Sequence, residues 1–124
     1  MKKTVFIISV GLVVLCIQAR TTNDEPANKQ ELGKLLFFDA ILSIDSTISC
    51  GSCHRPQYAF ADTSATSLGV GRVRGTRNTP SAMNVALQKI FFWDGWAKSL
   101  EEQALRPIEK PDEMNLPIEE VCKG

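Results

Sequence analysis

The 124-residue chain predicts an all-α domain with long loops. Three observations carry that prediction. Leu32, Leu35, Leu36 and Phe38 recur at helical spacing, and Ser99-Leu100-Glu101-Glu102 has the form of a capping box. No strand-helix-strand pattern accompanies the paired cysteines of the central segment.

Residues 1–20 are read as a secretory signal outside the fold. Lys2 and Lys3 precede an apolar run, Val5 to Ile17, that is too short for a comfortable membrane span. Ala19 is the candidate residue before the cut, although Ile17 is larger than a signal peptidase prefers. Val13-Val14-Leu15-Cys16 loosely resembles a lipoprotein box, so lipid anchoring through Cys16 is a variant of the same expectation. Export to the periplasm is expected in either case.

Residues 21–28 are polar and read as a tether, leaving 29–124 as one small domain. Lys29 to Phe38 is the first amphipathic helix, Asp39 to Ser49 has turn chemistry, and Cys50 starts a second helix. Gln57 to Thr79 is loop-like, with Gly69, Gly71 and Gly75 interleaved with Arg72, Arg74 and Arg77. Its G-x-G spacing is no phosphate loop, since no strand precedes it and no G-K-S/T follows. Its arginines read as solvated or as partners for an acidic cofactor edge. Pro80 to Leu87 reads as a short helix, Ser99 caps another that runs to about Arg106 before Pro107, and Pro117 to Cys122 opens a last one. With 14 basic and 14 acidic residues the chain is formally neutral, which implies no nucleic-acid or bulk membrane-surface partner.

Cys50-Gly51-Ser52-Cys53-His54 carries the chemistry. C-x-x-C-H is the attachment signature of a c-type haem. Two thiols three positions apart lie on one helical turn and can each form a thioether to a vinyl group, and the adjacent histidine can ligate the iron. A thioredoxin-like pair would need a strand-helix setting, and a zinc site would need four ligands at paired spacings. Only Cys16 and Cys122 remain as further cysteines, and His54 is the single histidine. By residue type alone, Asp112-Glu113 after Pro111 reads as a solvated turn, and Trp93 among Phe91, Phe92 and Trp96 reads as core. Met83 and Met114 are the candidate second ligands of a mono-haem electron carrier, a rival to an enzyme.

Taken together, the motifs resemble the N-terminal haem domain of bacterial di-haem cytochrome c peroxidases. These are Leu32-Gly33-Lys34-Leu35-Leu36-Phe37-Phe38-Asp39, Leu42-Ser43, Ile48 to His54, Arg77-Asn78-Thr79-Pro80-Ser81, Phe92-Trp93-Asp94-Gly95, Ser99 to Ala104 and Glu113-Met114. The related methylamine-utilisation haem enzyme, an oxidase acting on a protein side chain, belongs to the same superfamily. The resemblance implies a cytochrome c-like fold and reduction of hydrogen peroxide, with electrons from a donor cytochrome c or cupredoxin through a second haem. It further implies that Cys50 and Cys53 anchor haem c, that His54 is its proximal ligand, and that Glu113 is the distal acid/base with Gln103 beside it. Trp93 would bridge the two haems, Asn78 would be a side-chain ligand of a calcium ion, and the full-length form could be a homodimer.

Three departures accompany the resemblance. Val70 stands where relatives often carry a distal histidine on the glycine loop, and Trp96 stands where they usually carry arginine. The family's second C-x-x-C-H domain does not follow, and Ile118 and Val121 would have little to pack against. The expectation is therefore the N-terminal half of a two-domain protein.

Overall fold

The computed structural model describes residues 25–123; the expected signal, with Cys16, lies outside the described residues. Among those described there is no β-strand, only isolated antiparallel bridges pairing Arg55 with Ala61, Leu68 with Arg74 and Phe91 with Ala97. The architecture is all-α with long loops, as expected.

Helix α1 (Lys29–Phe38) has the predicted bounds. Asn28 caps it, its side chain accepting the Glu31 N–H at 2.9 Å, while Glu31 accepts the Ala27 N–H in return. Asp39 ends it by turning its own N–H back onto the Leu35 and Leu36 carbonyls, and its carboxylate then accepts from Ile41 to open the 3-10 turn Ala40–Leu42. No residue of α1 is buried, and Leu32, Leu35 and Phe38 all expose apolar surface.

Helix α2 (Cys50–Cys53) is a single turn closed by the His54 N–H on the Cys50 carbonyl, with His54 as its C-cap. It stops there because Pro56 follows: the residue before a proline is pushed out of the helical region, and Arg55 is extended at φ −82°, ψ 124°. Gly51 lets α1 lie against this turn. A Cβ there would stand 2.6 Å from Cδ1 of Phe38.

The helix expected over Pro80 to Leu87 is a correction. Only Val85–Leu87 form a 3-10 turn. Ser81 takes the Met83 N–H on its hydroxyl, the Ala82 N–H reaches across to the Phe60 carbonyl, and Asn84 is left-handed at φ 55°. These bonds give the backbone donors partners that a helix would have used.

Helix α3 (Leu100–Glu109) begins at the predicted cap, where the Ser99 hydroxyl accepts the Glu102 N–H at 3.1 Å. It runs through Pro107 instead of stopping before it. Pro107 sits in the last turn, and its carbonyl and that of Ile108 are taken up by the N–H groups of Met114 and Leu116 as the chain folds back. Helix α4 (Ile118–Val121) follows Pro117.

The core is small: Val70, Phe91, Ala97, Ile108 and Met114. Trp93 is not part of it. The Phe91–Ala97 bridge closes a loop with Gly95 at φ 69°, and Trp93, 74% exposed, rides near its tip. Trp96 is exposed as well, edge-on to Phe92 with the Arg106 guanidinium over its ring.

Candidate functional site

One turn of α2 places both thiols and the imidazole together. Cys50 and Cys53 are unpaired and half-buried, and burial pushes both thiols up, with Ser67 partly opposing this at Cys53. Such thiols are held in the protonated form at neutral pH. Nδ1 of His54 lies 2.9 Å from the Phe60 carbonyl oxygen, an acceptor only, so Nδ1 carries the proton and Nε2 keeps its lone pair. That is the tautomer a metal-binding histidine needs, held by an outer partner.

The Phe60 carbonyl is aimed by its own loop. Ala59 and Phe60 are both left-handed at φ 56°, and the loop is pinned by Ser81 Oγ on the Ala59 carbonyl and the Ala82 N–H on that of Phe60. Two consecutive non-glycine residues in this region are costly, and they occur where a carbonyl must face an imidazole. The Phe37 ring packs beside both His54 and Phe60, at centroid distances of 6.4 and 6.1 Å.

Asp62 completes the wall next to Cys53, and sequence reading did not single it out. Its side chain is 4% exposed, accepts from Ser67 Oγ at 2.5 Å and from the Ser64 N–H, and lies 3.9 Å from the Arg55 guanidinium. The Ser67 hydroxyl first, then the Ser64 and Thr63 amides and Arg55, hold its carboxyl below the usual range against the opposing push of burial. The only sequence signal was an aspartate two residues before a serine, a common turn. Ser67 is also 2.7 Å from Thr79 Oγ1, so the network joins both ends of the glycine-arginine loop. A cleft of about 480 Å³ opens here, lined by Cys53, Ile48, Leu68 and by Arg55, Arg72 and Arg74.

Glu113 stands in the turn after α3. Its Oε1 is 2.8 Å from Nζ of Lys110, which also reaches Asp112 at 3.3 Å. Burial alone would lower the Lys110 ammonium, but Glu113 and Asp112 outweigh it and raise it. The Glu113 carbonyl accepts the Val70 N–H at 2.8 Å, so the glycine loop and the acidic turn meet although they are distant in sequence. Val70 is 6% and Met114 3% exposed; the Met114 carbonyl accepts the Ile44 N–H. Met83, the other methionine considered as a ligand, is exposed.

The remaining expected residues are more dispersed. Gln103 is half-buried on α3, and among the described residues no hydrogen bond joins it to Glu113. Trp93 carries the Arg77 guanidinium 4.2 Å from its ring centroid. Asn78 is exposed and donates through Nδ2 to the Ser64 carbonyl at 3.1 Å. No group of three or more His, Cys, Asp or Glu side chains converges to hold a metal ion among the described residues.

A haem fits this donor set. Two thiols on one turn and an imidazole of fixed tautomer are the groups that covalent attachment and axial ligation require, and apolar side chains of α1 flank the turn.

The family described as di-haem cytochrome c peroxidase matches residues 27–124. The methylamine utilization protein MauG of Methylorubrum extorquens is 45% identical over 95 residues, covering 77% of this chain and 27% of its own length. The cytochrome c551 peroxidase of Nitrosomonas europaea is 43% identical over 95 residues, covering 77% of this chain and 28% of its own. Among solved structures, a MauG-like protein associated with microbial copper homeostasis superposes with a TM-score of 0.69 at 32% identity, over 82% of this chain and 31% of that one. The chain thus spans between a quarter and a third of the length of these relatives.

Proposed function

The chain belongs to the di-haem cytochrome c peroxidase family, and on that premise we propose that it is the peroxidatic haem domain of an exported enzyme reducing hydrogen peroxide to water. The single observation that carries the reading is the meeting of Val70 with Glu113 in a fold that also presents the Cys50–Cys53–His54 turn.

Bound there, haem supplies an iron through which electrons reach the O–O bond of peroxide. The chain's own residues do the rest. Cys50 and Cys53 would tether the group, and His54 would hold the iron through Nε2, with its tautomer set by the Phe60 carbonyl. Heterolysis would need a proton moved from one peroxide oxygen to the other, and Glu113 is the carboxylate that the family resemblance assigns to that role. Val70 presents an aliphatic side chain with no lone pair to compete for the iron. Trp93, exposed on its loop, is the candidate bridge for electrons from a second haem, whose donor would be a cytochrome c or a cupredoxin. Periplasmic location, a calcium ion near Asn78 and a homodimer of the full-length form belong to the same proposal.

A second reading, a haem oxidase acting on a protein side chain, is favoured by the 45% identity to the methylamine utilization protein. The test begins with protein matured in a c-type assembly system. The mass should rise by one haem that resists acidic organic extraction, and Cys50→Ala or Cys53→Ala should weaken that retention. An apo mass would sink both readings. Peroxide consumption with a reduced donor, after addition of the second haem domain, favours the peroxidase; oxidation of a protein side chain without such turnover favours the oxidase.

A further inference from the structure

We propose that Gly69 and Val70 are positioning residues that splint the Glu113 turn, so that the loop bearing the distal position stays docked on it. The inference rests on the reading of Glu113 as the proton-handling carboxylate.

Gly69 is extended, at φ −91° and ψ −164°, a conformation open to any residue. Its lack of a side chain therefore answers a need for space. A Cβ there would collide with the Asp112 carbonyl oxygen and stand 2.6 Å from that of Glu113. Both obstacles are backbone, which cannot rotate aside as a side chain would. This close approach lets the next amide work: the Val70 N–H donates to the Glu113 carbonyl at 2.8 Å, and the Val70 side chain is buried.

The loop behind this contact is closed on itself. Leu68 bridges Arg74, the Gly69 N–H donates to the Val73 carbonyl at 2.8 Å, and the Gly75 N–H donates to Ser67 at 2.9 Å. Gly71 and Arg72, at φ 60° and 61°, make the reversal. From the other side the turn is tied by the Glu113 N–H to the Lys110 carbonyl, by the Ile44 N–H to that of Met114, and by the Lys110 ammonium on the Glu113 carboxylate. Glu113 is thus fixed by its backbone on the loop side and by its side chain on the helix side. A distal loop that must carry a ligand on and off the iron needs freedom; this one is bonded to the residue that does the proton transfer.

The test is a double-mutant cycle with an exchange measurement on the haem-loaded protein. Gly69→Ala should lower the second-order rate with peroxide by about 10- to 100-fold, the cost of roughly an ångström of misplacement, at unchanged haem content. In a Glu113→Gln background the same change should cost less than about twofold, because neighbours acting through one group are not additive. Hydrogen exchange of the wild type should show the Val70 amide protected in both oxidised and reduced protein, and at least about tenfold faster in Gly69→Ala. An equal loss from Gly69→Ala in both backgrounds would overturn the proposal. So would an unprotected Val70 amide in the wild type, a measurement that holds even if Gly69→Ala does not fold. Should Glu113→Gln alone leave the rate unchanged, the acid/base reading falls and the positioning role with it, although the amide stays protected.

Discussion

Replacing Glu113 with Gln separates proton transfer from packing, because the two roles predict effects of different size. The side chain makes one ion pair, 2.8 Å to Lys110, and the partners are 40% and 37% exposed. At that exposure solvent screens most of the attraction, and such pairs are worth about 0.2–1 kcal/mol. Glutamine keeps the volume and still offers Lys110 an oxygen, so the stability loss should sit at the low end, a shift of a few degrees in melting temperature at most. A positioned acid/base contributes about 10²–10⁴ in rate. At about 1.36 kcal/mol per decade that is roughly 2.7–5.4 kcal/mol of barrier. The kinetic effect should therefore exceed the stability effect several-fold. The assay is rapid mixing of oxidised, haem-loaded protein with peroxide, paired with denaturant melts of the same preparations. A rate within a factor of two of wild type would refute the assignment. So would a rate loss that only matches the loss of folded protein, since that would make Glu113 a packing residue.

Two further outcomes follow from the site. With Val70 at the proposed distal position, the oxidised haem-loaded protein should be high-spin and bind cyanide without prior reduction, by absorption and paramagnetic resonance; a low-spin spectrum that persists in Met114→Ala would show another strong ligand and refute the open site. Asp62→Ala should destabilise the protein at neutral pH by about 0.5–1.5 kcal/mol, because Ser67 Oγ keeps Thr79 as a partner and the exposed Ser64 amide turns to water. Because the Asp62 carboxyl is held low in the fold, the stability it contributes is present above its ordinary value near ~4 and fades as pH falls through the lowered one. The gap between wild type and variant in melting experiments should accordingly narrow only in acid, and a gap independent of pH would show that the charge is not what matters.

Local signals in the sequence determined a good deal. Asn28 and Asp39 bound α1, Ser99 starts α3, and Pro56 ends the turn bearing the cysteines, because caps and prolines act within about one helical turn of themselves. The same short reach made the C-x-x-C-H cluster legible: Cys50, Cys53 and His54 need only one turn to come together. Where a donor or carbonyl found its partner far along the chain, the sequence was silent or misleading. Ala82 donates to Phe60, which removes the helix expected after Pro80, and α3 runs through Pro107 with the carbonyls of Pro107 and Ile108 taken up by the chain beyond it. Trp93 looked like core but sits on a loop closed by Phe91 and Ala97. The pairing of Val70 with Glu113, and the covering of the Asp62 side chain beside Cys53, belong to tertiary structure alone. The pairing of Val70 with Glu113 depends on loops closing over a long sequence separation, and a residue's type does not encode which distant backbone group will meet it there.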